Sequence, residues 1–73
     1  MNITVGFKGA LRELGRNAEW TGVKTIADIV SRVPGLKTDP INFIVTRNGA
    51  PCDMNTEPAE GDEILFYPMI MGG

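Results

Sequence analysis

The 73-residue chain contains no histidine and a single cysteine, Cys52. Without histidine there is no Ser–His or Cys–His nucleophile pair, and the commonest transition-metal ligand is missing. One thiol cannot close an internal disulfide, and an iron–sulfur cluster needs about four. A lone free cysteine fits a reducing compartment, so the chain reads as cytoplasmic. No apolar run approaches the length of a membrane span. The opening residues, MNITVGFKGAL, lack the charged start and apolar core of a signal peptide. A basic stripe is also missing. Nine acidic and seven basic residues give a net charge of −2, and Lys8, Arg12, Arg16, Lys24, Arg32, Lys37 and Arg47 are scattered. That excludes the electrostatic footprint of a nucleic-acid binder. No metal site is expected, and the side chains are poorly equipped for catalysis.

What is present reads as one small folded domain. Hydrophobic residues are 42% and charged residues 22% of the chain, so apolar surface is sufficient for a core and disorder is not expected. A chain this short buries only about 60% of its unfolded surface, which requires one compact cluster. In NITVGFK, Ile3, Val5 and Phe7 alternate with Asn2, Thr4 and Gly6, the period-two pattern of a half-buried strand. A short connection follows, with Leu11 and Leu14 as anchors. AEWTG then predicts a second strand hairpin-paired with the first, with Trp20 at the edge of the core.

In TIADIVSRVPG, Thr25 and Asp28 have the spacing of a capping box. Ile26, Ile29, Val30 and Val33 fall on one face of a helix about two turns long, which Pro34 and Gly35 stop. So short a helix must lie across a sheet to persist. INFIVTRNGAPCDM predicts a strand, an Asn48 and Gly49 turn, and a short returning strand. Pro51 cannot donate to a ladder, which places that strand at a sheet edge. After a polar connection turning at Gly61 and Asp62, EILFYPMIM forms the last strand, where Pro68 limits pairing on one side. The order β-β-α-β-β-β defines an α+β fold, with one helix packed across a mixed sheet of four to five strands. That is the order of the ubiquitin-like β-grasp.

The last strand breaks the alternation, because both of its faces are apolar. Ile64 and Phe66 are assigned to the core with Ile3, Val5, Phe7, Ile26, Ile29, Val30, Val33 and Val45. Leu65, Tyr67 and Met69, with Ile44, then form an open apolar patch on the face the helix does not cover. Methionine and tyrosine suit an adaptable binding surface.

The run GDEILFYPMIMGG resembles the C-terminus of the MoaD/ThiS family of β-grasp sulfur carriers, which share a Gly-Asp-Glu turn, a final apolar strand and a terminal Gly-Gly. Within the family it is most similar to the branch of the molybdopterin synthase small subunit. FKGALREL, with Phe7, Leu11, Arg12 and Glu13, is similar to the same branch. The single Pro68 followed by Met69 departs from the two prolines common there, and TRNGAPC is as similar to the thiamine-pathway carriers.

The resemblance implies a β-grasp domain over residues 1–71 and a flexible tail over residues 72–73. It implies a carrier that is not itself an enzyme and holds no bound cofactor. An E1-like adenylating enzyme, consuming ATP, would activate the carboxylate of Gly73 and convert it to a thiocarboxylate. The recipient would be molybdopterin biosynthesis through a larger synthase subunit. Alternatives left open are a thiamine-type carrier serving thiazole synthase, a ubiquitin-like modifier joined to lysines, and a plain interaction module. Gly72 and Gly73 would thread a narrow active site, Ile70 and Met71 would grip its mouth, and Arg12 would contact the partner with Leu65, Tyr67 and Met69. Cys52 reads as a partly buried filler rather than a persulfide carrier, since no neighbouring feature would lower its pKa.

Overall fold

The computed structural model describes residues 2–9, 11, 15, 17–33 and 43–68. Its elements are β1 (Asn2–Phe7), β2 (Ala18–Thr21), α1 (Ile26–Arg32), β3 (Phe43–Arg47), β4 (Ala50–Pro51) and β5 (Glu63–Pro68), in the order the alternation and the helical stripe predict. The strands make one five-stranded sheet in the spatial order β2-β1-β5-β3-β4. Last in sequence, β5 is central in space, parallel to β1 and antiparallel to β3. A parallel pair cannot be joined by a tight turn, and α1 lies in the long crossover between β1 and β5.

The hairpin readings hold. β1 and β2 are antiparallel, with Ile3 opposite Trp20. Asn48 and Gly49 both take positive φ, 51° and 87°, as a two-residue hairpin turn matched to strand twist requires. β4 carries Pro51 at the outer edge of the sheet, where the absent N–H costs no ladder bond.

Every residue assigned to the core from the sequence is buried, and Val23 and Phe43 join them. The centre is Phe66, fully enclosed. Its ring stacks on Phe7 at 5.6 Å and meets Phe43 edge-on at 5.4 Å, the two arrangements aromatic quadrupoles favour. Leu11 and Trp20 pack against this cluster from its margin.

Seven residues make a helix that would not survive alone. Tertiary contacts hold both of its ends. Asp28 reaches back and accepts from the backbone N–H groups of Lys24 at 2.8 Å and Thr25 at 3.1 Å. Those bonds hold its carboxyl below the ordinary pKa. The N–H groups of Ile26 and Ala27 donate to the carbonyls of Thr56 at 3.0 Å and Met54 at 3.1 Å, so the loop before β5 closes the helix start. At the other end Arg32 donates to the carbonyl of Gly22 at 3.0 Å.

Candidate functional site

Alternation along the central strands decides which side chains are offered outward. On β5, Ile64 and Phe66 point into the core, and on β3 so do Phe43 and Val45. The opposite face therefore receives Leu65 and Tyr67 from β5 and Ile44 and Thr46 from β3. Register places Ile44 directly opposite Tyr67 and Thr46 opposite Leu65. Ile44 is 42% and Tyr67 37% exposed, and they are the exposed large hydrophobic residues of the described structure. This adjacent pair sits where β5 ends, so a partner covering it would also lie beside whatever follows Pro68 in the chain.

The open patch is narrower than the sequence predicts. Leu65 points to the outer face but is only 8% exposed. Its neighbour across the β1–β5 pairing is Gly6, and without a side chain there Leu65 lies down over the β1 backbone. A Cβ built on Gly6 would stand 2.9 Å from Leu65 Cδ2 and would also strike the Asn17 carboxamide. On the other side, Thr46 Oγ1 is buried with no hydrogen-bond partner among the described residues. Leu65 thus packs within the domain and is not part of its open surface. Gly6→Ala should displace both Leu65 and Asn17. Overpacking of this kind costs about 1–3 kcal/mol, which a urea titration would register as a lower midpoint.

Backbone geometry also fits the exit of β5. Lys8 N–H donates to the Phe66 carbonyl at 2.8 Å, extending the β1–β5 pairing. Gly9 then turns away at φ +56°, with its Cβ position 3.0 Å from Pro68 Cγ. A side chain at Gly9 would meet both an unfavourable φ and the proline ring.

At the other end of β5, Asp62 is a buried acid that the sequence reading treats only as a turn residue. Its carboxylate accepts from Arg47 Nε at 2.7 Å, Asn48 Nδ2 at 2.9 Å and the Ala59 backbone N–H at 2.8 Å. The turn over residues 59–62 is thereby clamped to the β3–β4 hairpin, and β5 starts in fixed register. The Ala59 bond, then the Asn48 bond, hold the Asp62 carboxyl below its ordinary pKa, with Arg47 adding to them against the opposing effect of burial. A depressed folded-state pKa contributes stability that is fully present above the unfolded value of about 3.9. That stability is lost as the pH falls from there through the lower folded value. Asp62→Asn should therefore lower the urea midpoint at neutral pH and flatten the loss of stability below about pH 4. An unchanged acid profile would show that the clamp contributes nothing.

Cys52 is half-buried just past β4, in an open groove lined by Arg47, Pro51, Asp53 and Thr56. Burial raises its thiol pKa, with a Thr56 hydrogen bond working against that rise. A thiol held protonated is a poor nucleophile, which fits the filler reading. Among the described residues, no group of three or more cysteine, aspartate or glutamate residues could hold a metal ion, and no helix is long and apolar enough to cross a membrane. Arg12, Met69, Ile70, Met71, Gly72 and Gly73 lie outside the described residues, as does the Leu14 anchor.

A five-stranded mixed sheet grasping one helix across its face, with the last strand in the centre, is the ubiquitin-like β-grasp. No family model and no curated protein matches the chain. Solved structures do. A chain in the complex of subunits 1 and 2 of molybdopterin-converting factor from Helicobacter pylori is 25% identical at a TM-score of 0.74, with 100% of both chains covered. SAMP1 of Haloferax volcanii is 24% identical at a TM-score of 0.74, again over 100% of both chains. Urm1 of Trypanosoma brucei is 20% identical at a TM-score of 0.69, over 99% of this chain and 95% of that one. These likenesses support the resemblance to the MoaD/ThiS-like β-grasp sulfur carriers that the C-terminal run carries.

Proposed function

We propose that the chain is a ubiquitin-like sulfur carrier whose reacting group is the carboxylate of Gly73. The observation that carries this reading is the placement of the run EILFYPMIMGG. Its first six residues are the central strand of a β-grasp sheet, with the exposed Ile44 and Tyr67 beside the point where the run leaves it. A terminal carboxyl has a pKa of about 3.5, so at neutral pH it is ionised and a poor electrophile. It has to be activated. A carboxylate oxygen attacks the α-phosphorus of ATP in the active site of an E1-like adenylating enzyme, and pyrophosphate leaves. Hydrosulfide then attacks the acyl carbon and displaces AMP, leaving a thiocarboxylate and a proton with no change of oxidation state. Glycines at 72 and 73 suit this route, since they thread a narrow channel and adopt any φ it demands. The carrier's own side chains perform no chemistry, which accords with the absence of histidine.

The recipient we favour is molybdopterin biosynthesis through a larger synthase subunit. The likeness to a chain of molybdopterin-converting factor and the aromatic pair Phe66 and Tyr67 followed by Pro68 support it. A thiamine-type carrier would serve thiazole synthase instead. The test is to offer the thiocarboxylated protein to each synthase. Sulfur transfer with the molybdopterin enzyme alone is the expected outcome, and transfer with thiazole synthase alone would reassign the pathway. A second reading, a modifier joined to lysines through Gly73, calls for the same β-grasp fold and the same reacting terminus. It predicts Gly73-linked conjugates in cell extract.

In either reading Ile44 and Tyr67 form the apolar centre of the docking surface. Tyr67→Asp and Ile44→Asp should each weaken binding to the larger subunit by about tenfold or more, as at interface hot spots. Folding stability should move by no more than about 0.5 kcal/mol, as at an exposed site. Calorimetric titration and urea unfolding of the same samples separate the two effects.

A further inference from the structure

Asn48 and Gly49 form an Asn-Gly step, the sequence pair most prone to lose ammonia. The backbone nitrogen of the second residue attacks the side-chain carbonyl of the first, and glycine offers no side chain to hinder the approach. Both residues are exposed, and a Cβ built on Gly49 would meet nothing within 4 Å. Yet the Asn48 carboxamide is held at both ends. Its Nδ2 donates to Asp62 Oδ1 at 2.9 Å, and its Oδ1 accepts from the Glu63 backbone N–H at 2.9 Å. The Asn48 backbone N–H also donates to the Glu63 carbonyl, at 2.8 Å. Swinging the carboxamide carbon toward Gly49 N breaks both side-chain bonds.

We propose that Asn48 is a deamidation site guarded by Asp62, and that its conversion to a carboxylate releases the clamp at the start of β5. Gly49 N bonds to Asn48 Cγ, and Nδ2 leaves as ammonia, carrying the proton given up by the Gly49 amide. The resulting succinimide takes up one water to yield aspartate or isoaspartate. Water enters, ammonia leaves, and no oxidant or reductant is needed. In the product an oxygen replaces the donor that faced Asp62 Oδ1, so a hydrogen bond becomes two opposed carboxylates, offset in part by Arg47, 2.7 Å from Asp62 Oδ2. Isoaspartate also lengthens the backbone inside the turn between β3 and β4. A lesion in an exposed turn is thus transmitted to the central strand.

The folded protein and a urea-unfolded sample, incubated side by side at mildly alkaline pH, would be mapped by peptide mass spectrometry for aspartate and isoaspartate at position 48. The folded protein should react at about a tenth of the unfolded rate or slower, as expected of a site that must first open locally. Asp62→Ala should erase most of that protection while the near-ultraviolet spectrum stays native. If Asp62→Ala does not fold, a second comparison decides alone. Asn48→Asp should unfold at lower urea than Asn48→Gly, which tolerates the positive φ and adds no charge. Equal rates in folded and unfolded wild type, or an Asn48→Asp midpoint no lower than that of Asn48→Gly, would overturn the proposal.

Discussion

Removal of Gly72 and Gly73 should abolish thiocarboxylate formation while leaving the domain as stable as before. The two effects should separate because the core cluster of the described residues is built from positions 3–66. Among the described residues the last β5–β3 pair is Pro68 opposite Phe43, and every buried side chain lies at or before Phe66. The urea midpoint of the truncated protein should therefore match wild type within about 0.5 kcal/mol. Binding to the larger subunit through Ile44 and Tyr67 should persist, though weakened by the loss of any strand-like pairing the tail makes. The truncated chain ends at Met71, which carries a side chain at the terminus where the wild type has none. Retained sulfur transfer would refute the assignment of the chemistry to Gly73 and leave a plain interaction module.

The largest effect on stability is expected at Phe66. It is 0% exposed and touches aromatic rings on both neighbouring strands, Phe7 on β1 and Phe43 on β3. Replacing such a residue with alanine costs about 3–5 kcal/mol, through lost transfer energy and the cavity left behind. Domains hold about 0.05–0.15 kcal/mol per residue, roughly 4–11 kcal/mol for a chain this length. Phe66→Ala should accordingly lose a large share of its folding free energy and unfold at a much lower urea concentration, with a midpoint near zero if the wild type lies at the low end of that range. A cooperative transition displaced by less than about 1 kcal/mol would mean that the core is not centred on this ring.

Local interactions are legible in the chain, whereas contacts between distant residues are not. Alternation located β1, and Asn48 with Gly49 marked the turn between β3 and β4, because side-chain period and turn chemistry are properties of a few consecutive residues. The helical stripe of Ile26, Ile29, Val30 and Val33 was legible for the same reason. Leu65 was misplaced because its burial depends on Gly6, a residue brought alongside only by the parallel β1–β5 pairing. Had that register been known, a glycine opposite a leucine would have marked the closed spot. Asp62 escaped notice likewise, since Arg47 and Asn48 are distant in sequence and meet it only through the sheet. The loop carbonyls of Met54 and Thr56 that close the start of α1 carry no side-chain signal at all. Of the surface expected from the sequence, Ile44 and Tyr67 stand exposed side by side, while Met69, Ile70, Met71 and Arg12 lie outside the described residues.

The proposed chemistry turns on one atom, a carboxylate oxygen of Gly73 to be replaced by sulfur. The direct measurement is the intact mass of the protein after incubation with ATP, a sulfur donor and a cognate E1-like enzyme, followed by mapping of the C-terminal peptide. The account predicts a mass gain equal to the exchange of one oxygen for one sulfur, confined to Gly73 and absent when ATP is withheld. An unchanged mass, with an enzyme shown in parallel to be active on another carrier, would contradict it.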